Sequence, residues 1–408
     1  MLAFPLLVSV AMAASGLIVP AYHSEHLVNQ VLRVDTQLGA SQDNVTLICA
    51  PNSNTVTIKQ TSALSDCVGD CKNSWQQREV VVNSVDTGVS FIKDNLGLGD
   101  TVLSNVPMNL QNYSYATSSL GYGLWNQSSS DDDDLSNNWF LGYLLDEGTI
   151  NEPKYSLHSD DDKWRFVFGG VDHAKYVGDL ADLDIEQYSP SSNYSSRFVR
   201  SDVLGQVALK AVALDDGGSE TISTESNLTL SISYNYGDVA DMALPDDIYQ
   251  TLAAKLNINT TTNTADCVSD DEIKLVLDFG ITKINVPYKS LQKKNDNGTC
   301  DVNIQGMKGN KKDVYVGPET LRSVYAVYDA GAKKVSIAQY KSSSDSDVEI
   351  FGESKAASTS ESSSAAPSAS ASSSDASTKD GKDKQSSGSI SAPSLIMAAV
   401  MGLVVSAI

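Results

Sequence analysis

Leu38–Ile58 reads LGASQDNVTLICAPNSNTVTI. Within it Asn44–Cys49 (NVTLIC) is a short run of apolar and β-branched residues, and it stops at Pro51, Asn52 and Ser53, which favour turns. The same grammar repeats outward along the chain in Glu79–Val82 (EVVV), Trp164–Phe168 (WRFVF), Leu228–Ile232 (LTLSI), Ile273–Asp278 (IKLVLD), Lys283–Pro287 (KINVP) and Val335–Gln339 (VSIAQ). Each is strand-length and bounded by turn formers. Helical signals are few. Leu244-Pro245-Asp246-Asp247 places acids in a first turn ahead of the apolar stripe Ile248–Leu256, and Gly317–Ser323 (GPETLRS) offers a second short helix. Many strands and rare helices predict an all-β protein of two lobes, residues 15–190 and 191–345, the strand pattern running from about Leu27 to Gln339.

The ends point to a compartment. Residues 1–14 carry an apolar run closed by Ala11-Met12-Ala13, the pattern of a signal peptide. Residues 346–385 are dominated by Ser, Ala, Thr and scattered charges, which reads as a disordered stalk. Residues 386–408 place the small residues Ser386, Ser387 and Gly388 before a polar spacer and an apolar tail, the pattern of a GPI attachment signal. The sequons at Asn44, Asn112, Asn126, Asn193, Asn227, Asn259 and Asn297 agree with secretion and predict a glycoprotein. The expected localisation is the cell surface, with a GPI lipid as the membrane contact. The 408 residues hold 51 Asp and Glu against 29 Lys and Arg, a formal charge of −22, which argues against a nucleic-acid partner.

Five cysteines fit a few disulfides: Cys67 with Cys71, and Cys267 with Cys300, each within one half. Cys49 is left over in an apolar strand, where it packs as a small hydrophobe. Metal and cofactor signals are weak. His23 and His26 (HSEH) read as surface residues, and the acidic runs Asp131–Asp134 and Asp160–Asp162 as solvated loops without EF-hand spacing. No Gly-x-Ser-x-Gly or His-Glu-x-x-His occurs. No cofactor is expected, and the molecule is expected to be a monomer.

Four further segments carry a resemblance. Gly148–Leu157 (GTINEPKYSL), Phe168–Leu180 (FGGVDHAKYVGDL), Leu244–Tyr249 (LPDDIY) and Val316–Asp329 (VGPETLRSVYAVYD), together with the Cys267/Cys300 spacing, resemble the pepsin-type aspartic peptidases, in particular the GPI-anchored fungal yapsin branch. The resemblance implies a bilobal pepsin-like fold with a cleft between two pseudo-symmetric β lobes. It also implies two facing carboxylates that share one proton, one acting on a water and the other on the substrate carbonyl. Each lobe of the family supplies its Asp in an Asp-Thr/Ser-Gly loop. Here Ala50 stands at the first Asp position, followed by Pro51 and Asn52. Counting back from Pro245 places Tyr236 at the second. A methyl group carries no proton, and a phenol with an ordinary pKa of about 10 is a poor base.

Asp86-Thr87-Gly88 spells the family triplet but falls where the family has its flap hairpin, so turn chemistry is the preferred reading. No Tyr occurs in Val80–Gly88, and no Lys or Arg precedes Arg33 to mark a basic-cleaved pro-segment. The expectation is a cell-surface pseudopeptidase that binds extended peptide or a wall component, or serves structurally in the wall. The alternative is an active acidic endopeptidase using displaced carboxylates, Asp86 and Asp238.

Overall fold

Alternation between buried and exposed residues sets the first strand, Leu17–His23 (β1), which buries Leu17, Val19 and Ala21 and turns Ile18 and Pro20 outward. The structure is a computed structural model and describes residues 16–23, 31–39, 43–51, 53–59, 79–84, 89–111, 118–124, 139–160, 163–187, 203–216, 220–221, 228–234, 240–269 and 271–353. Leu32–Leu38 (β2), Asp43–Ala50 (β3), Val56–Lys59 (β4), Glu79–Ser84 (β5), Val89–Leu98 (β6), Thr101–Gln111 (β7) and Ser119–Gly121 (β8) complete the N-terminal half's sheet. Most neighbours there are antiparallel. The exceptions are β3 beside β8 and β4 beside β7, both parallel. Helix α1, Phe140–Asp146, follows and buries Phe140, Leu141, Tyr143 and Leu144.

A six-stranded antiparallel sheet joins the halves. Lys154–Asp160 (β9) and Lys163–Phe168 (β10) form a hairpin, and β1 pairs with the outer side of β10. After the short Gly170–Asp172 (β11), Tyr176–Glu186 (β12) belongs by its pairing to the other half.

The C-terminal half continues with Gly205–Leu209 (β13), Ala211–Asp215 (β14), Glu220–Thr221 (β15), Leu228–Ile232 (β16) and Met242–Pro245 (β17). Helix α2, Asp246–Lys255, places Asp246 and Asp247 in its first turn and Lys255 in its last, matching the helix dipole at both ends. Thr264–Asp266 (β18), Lys274–Asp278 (β19), Lys283–Pro287 (β20), Gln292–Lys294 (β21), Thr299–Val302 (β22), Ile304–Met307 (β23) and Asp313–Val316 (β24) lead to the short helix α3, Pro318–Leu321. Val324–Asp329 (β25) and Lys334–Tyr340 (β26) then form a hairpin, and Val348–Ile350 (β27) pairs with β11.

The joining sheet runs β1, β10, β9, β25, β26, β12. Its two central strands come one from each half, with Leu157 opposite Ala326. Order and direction are therefore symmetric about the β9–β25 seam. One face, carrying Tyr155, Leu157, Trp164, Phe166, Ala326, Tyr328 and Ile337, belongs to the main core. This is the all-β bilobal architecture that the strand pattern predicts.

Four features differ from the sequence reading or add to it. β1 begins at Leu17, ahead of the expected first strand near Leu27, because Pro20 interrupts the run and weakens its strand signal. α1 has no side-chain N-cap and no acid in its first turn, so it carries no start signal. The expected lobe boundary at 190 falls after β12, whose partners β13 and β26 both lie in the C-terminal half. Val348–Ile350, assigned to the stalk by its Ser- and Asp-rich flanks, is a strand.

Cys267 and Cys300 are disulfide-bonded across 33 positions. Closing a loop of that size restricts the unfolded chain, so Cys267→Ala/Cys300→Ala is expected to lower stability by about 3 kcal/mol. Thermal unfolding of the double variant beside the parent checks this.

Candidate functional site

The two lobes repeat one local design. In the N-terminal half, β3 runs parallel to β8 with Ala50 opposite Gly121, and β4 returns antiparallel to β8 with Val56 opposite Leu120. In the C-terminal half, β16 runs parallel to β24 with Ile232 opposite Val316, and β17 returns antiparallel to it with Met242 opposite Val316. Each loop between the two flanking strands is pinned by a glycine that ends the crossing strand. A Cβ on Gly121 would sit 2.5 Å from both the Thr55 nitrogen and oxygen. A Cβ on Gly317 would sit 2.5 Å from Asp241 Oδ1. Only a residue without a side chain fits at either crossing.

The loop tips bring no pair of carboxylates together among the described residues. Ala50 ends β3, half-buried, and its carbonyl accepts from Ser53 and Tyr122 N–H at 3.3 Å each. One step beyond β16, the register brings Ser233 level with Gly317 as Ala50 is level with Gly121, and Ser233 N–H donates to the Val316 carbonyl at 3.1 Å. Counting back from Pro245 named Tyr236 instead. The three-residue difference arises because the count assumes a loop of fixed length. Tyr236 and Asp238 lie outside the described residues, as does Asp86, which falls between the paired strands β5 and β6.

Asp241 is the described acid of the C-terminal tip. It is 2% exposed. Its Oδ1 accepts from Glu319 N–H at 2.8 Å, and its Oδ2 from Thr320 N–H at 2.9 Å and the Thr320 hydroxyl at 2.6 Å. The carboxylate therefore satisfies the first amides of α3 and fixes that helix against the loop. The residue pattern gave a hint: Tyr315-Val316-Gly317 repeats the apolar-then-Gly ending of Ser119-Leu120-Gly121, marking the two crossings as equivalents.

Beneath the tips lies an aromatic floor. Tyr234 is fully buried, and its hydroxyl is 2.9 Å from that of Tyr328. Trp164 meets the Tyr234 ring edge-on at 5.0 Å, and Tyr155 stacks on Tyr328 at 5.2 Å. His23 Nε2 donates to the Tyr234 carbonyl at 2.8 Å. Histidine 23 is thus drawn into the floor rather than lying on the surface as its polar surroundings in sequence suggested; His26 is outside the described residues. Burial pushes the phenols of Tyr155, Tyr234 and Tyr328 upward, so they are neutral and serve no base function. Cys49 is buried in β3, and burial likewise pushes its thiol up, leaving an inert small side chain.

A sequence profile described as "Eukaryotic aspartyl protease" matches residues 69–340, two thirds of the chain. The chain belongs to this family. Among curated relatives, "Aspartic proteinase yapsin-3" of Saccharomyces cerevisiae is 27% identical over 207 residues, 49% of this chain and 39% of that protein. "Secreted aspartic protease 9" of Candida albicans is 26% identical over 226 residues, 53% and 40%. "Candidapepsin" of Candida tropicalis is 26% identical over 279 residues, 64% and 61%. The chain thus spans less than two thirds of each relative's length. Family membership accounts for the paired crossings and the shared six-stranded sheet. The profile match begins after Ala50, so the first loop tip lies outside it.

Among the described residues no cluster of three or more His, Cys, Asp or Glu is arranged to hold a metal, and no helix is long and apolar enough to cross a membrane. Asp160 departs from the solvated-loop reading: it pairs with Arg165 at 2.5 Å and Lys175 at 3.2 Å. Of the sequons, Asn44, Asn259 and Asn297 are exposed, and Asn112, Asn126, Asn193 and Asn227 lie outside the described residues. So do Cys67, Cys71, Ser386, Ser387 and Gly388.

Proposed function

We propose that this chain is a cell-surface pseudopeptidase: a secreted, GPI-tethered member of the aspartyl protease family that has kept the two-lobed frame and lost the proton-sharing pair. The observation that carries the reading is Ala50. It ends β3 level with Gly121, at the tip where the family needs an acid, and a methyl group has no proton to give or take. The C-terminal tip agrees, because Asp241 spends its carboxylate on the amides of α3. Secreted and yapsin-type names among the relatives support an extracellular location.

A two-lobed frame without its acids can still hold an extended polypeptide or wall component between its lobes. Full-length protein presented to an array of extended peptides is expected to retain a subset without cleaving it. Retention of none would favour a purely structural wall role, and cleavage at the retained sequences would overturn the reading.

A further inference from the structure

On the face of the joining sheet opposite the aromatic floor, Val171 of β11 packs against Tyr325 and Val327, and a strap is fastened to that segment. Residues 341–350 run along Gly170–Lys175, and β27 pairs with β11 through Ile350 opposite Gly170 and Val348 opposite Asp172. Asp172 is fully buried and fastens the strap: its carboxylate accepts from Ala174 N–H, from Asp347 N–H at 2.8 Å and from the Ser346 hydroxyl at 2.8 Å. Its own N–H donates to the Tyr325 hydroxyl at 2.6 Å. Lys175, 3% exposed, donates to Asp160 and to the Ser343 carbonyl at 2.6 Å.

His158 lies on this face, in β9. It is 0% exposed, and neither ring nitrogen has a hydrogen-bond partner among the described residues. Its ring stacks on Tyr325 at 5.1 Å and faces Tyr340 at 6.4 Å. Charged groups act on it from each packed element: Asp160 on its own strand, Arg165 directly opposite on β10, and Asp172 and Lys175 from beneath the strap. The two acids favour a charged ring and the two bases oppose it, and burial outweighs each of them. Burial of an imidazole with no partner for a second proton holds its pKa down to about 4.

We propose that the strap is an acid-released latch, fastened through Asp172 while His158 is neutral and opened when that ring takes up a proton from solvent. Protonation in place would leave an imidazolium unhydrated against Tyr325, whose hydroxyl is tied to Asp172 at the strap's anchor, and loosening that anchor lets water reach the ring. His173 lies on the outer side, where Nε2 faces Glu349 at 3.2 Å and Nδ1 faces the Tyr176 hydroxyl at 2.7 Å.

Hydrogen exchange of the full-length protein tests this, with protection factors for the 170–172 and 348–350 amides measured at pH 7 and pH 4.5. Linkage between a closed-state pKa of about 4 and an ordinary value near 6.5 predicts a loss of protection on the order of 50-fold. This opening is expected to be insensitive to low urea and faster than exchange of the β3 and β8 amides. His158→Phe is expected to remove the pH dependence, and His173→Gln to keep it. The proposal is overturned by flat wild-type protection, by strap and β3 amides exchanging at one common rate, or by pH dependence that persists in His158→Phe or vanishes in His173→Gln. Should His158→Phe fail to fold, the wild-type ring nitrogens decide. Their chemical shifts must titrate at the midpoint of strap opening, and a different midpoint sinks the latch.

Discussion

Asp241→Ala is expected to destabilise the protein by about 3–5 kcal/mol, the largest single effect in the C-terminal half. The carboxylate is buried and accepts hydrogen bonds from Glu319 N–H, Thr320 N–H and the Thr320 hydroxyl at the start of α3. Truncation leaves those donors in a space that water enters poorly, and each buried donor without an acceptor costs about 1–3 kcal/mol. Asp241→Asn keeps one acceptor oxygen but turns an NH2 toward the Thr320 donors, so it too is expected to be destabilising, by less than the alanine variant. Urea midpoints of the three proteins at pH 7 check the order. A result in which Asp241→Ala matches the parent would show that α3 is held by something other than this cap.

Acid is expected to weaken the fold in a defined window. His158 and His23 are both held down to about 4, mainly by burial, against an ordinary value near 6.5. The unfolded chain therefore binds protons that the native chain refuses as pH falls from about 6.5 to 4. Stability is full above that window, falls through it, and levels off with respect to these two groups below pH about 4. A displacement of this size corresponds to roughly 3 kcal/mol for the fully buried His158, and to less for half-buried His23, whose Nε2 keeps its bond to the Tyr234 carbonyl. Urea midpoints at pH 7, 5.5 and 4 are expected to fall steadily, and His158→Phe to remove the larger part of the slope. A midpoint that stays constant from pH 7 to 4 would contradict the burial of both rings.

Much of the fold was legible because its strands obey a short local rule. Asn44–Cys49, Leu228–Ile232 and Lys283–Pro287 all lie within strands close to their expected limits, and Asp246-Asp247 announces α2. The Cys267–Cys300 bridge follows the spacing of the resemblance. Elements held by distant partners were harder to read. β1 and β27 are short or mixed in polarity and exist because β10 and β11 receive them. At the site, the sequence put Ala50 where the resemblance expects an acid, and the structure places it at the end of β3 level with Gly121. Ser233, Tyr234 and Asp241 were not, since their roles depend on strand register and on a helix start 78 positions away from Asp241. Counting residues along a loop does not supply a register.

The proposed loss of the acid pair is tested most directly by a cleavage assay between pH about 3 and 6, which includes the range where a shared-proton dyad is singly protonated, with circular dichroism confirming at each pH that the protein is folded. Full-length protein incubated with denatured substrate is expected to yield no pepstatin-sensitive fragments. Pepstatin-sensitive cleavage, abolished by Asp86→Asn or Asp238→Asn, would contradict the account and place the missing acids at those residues.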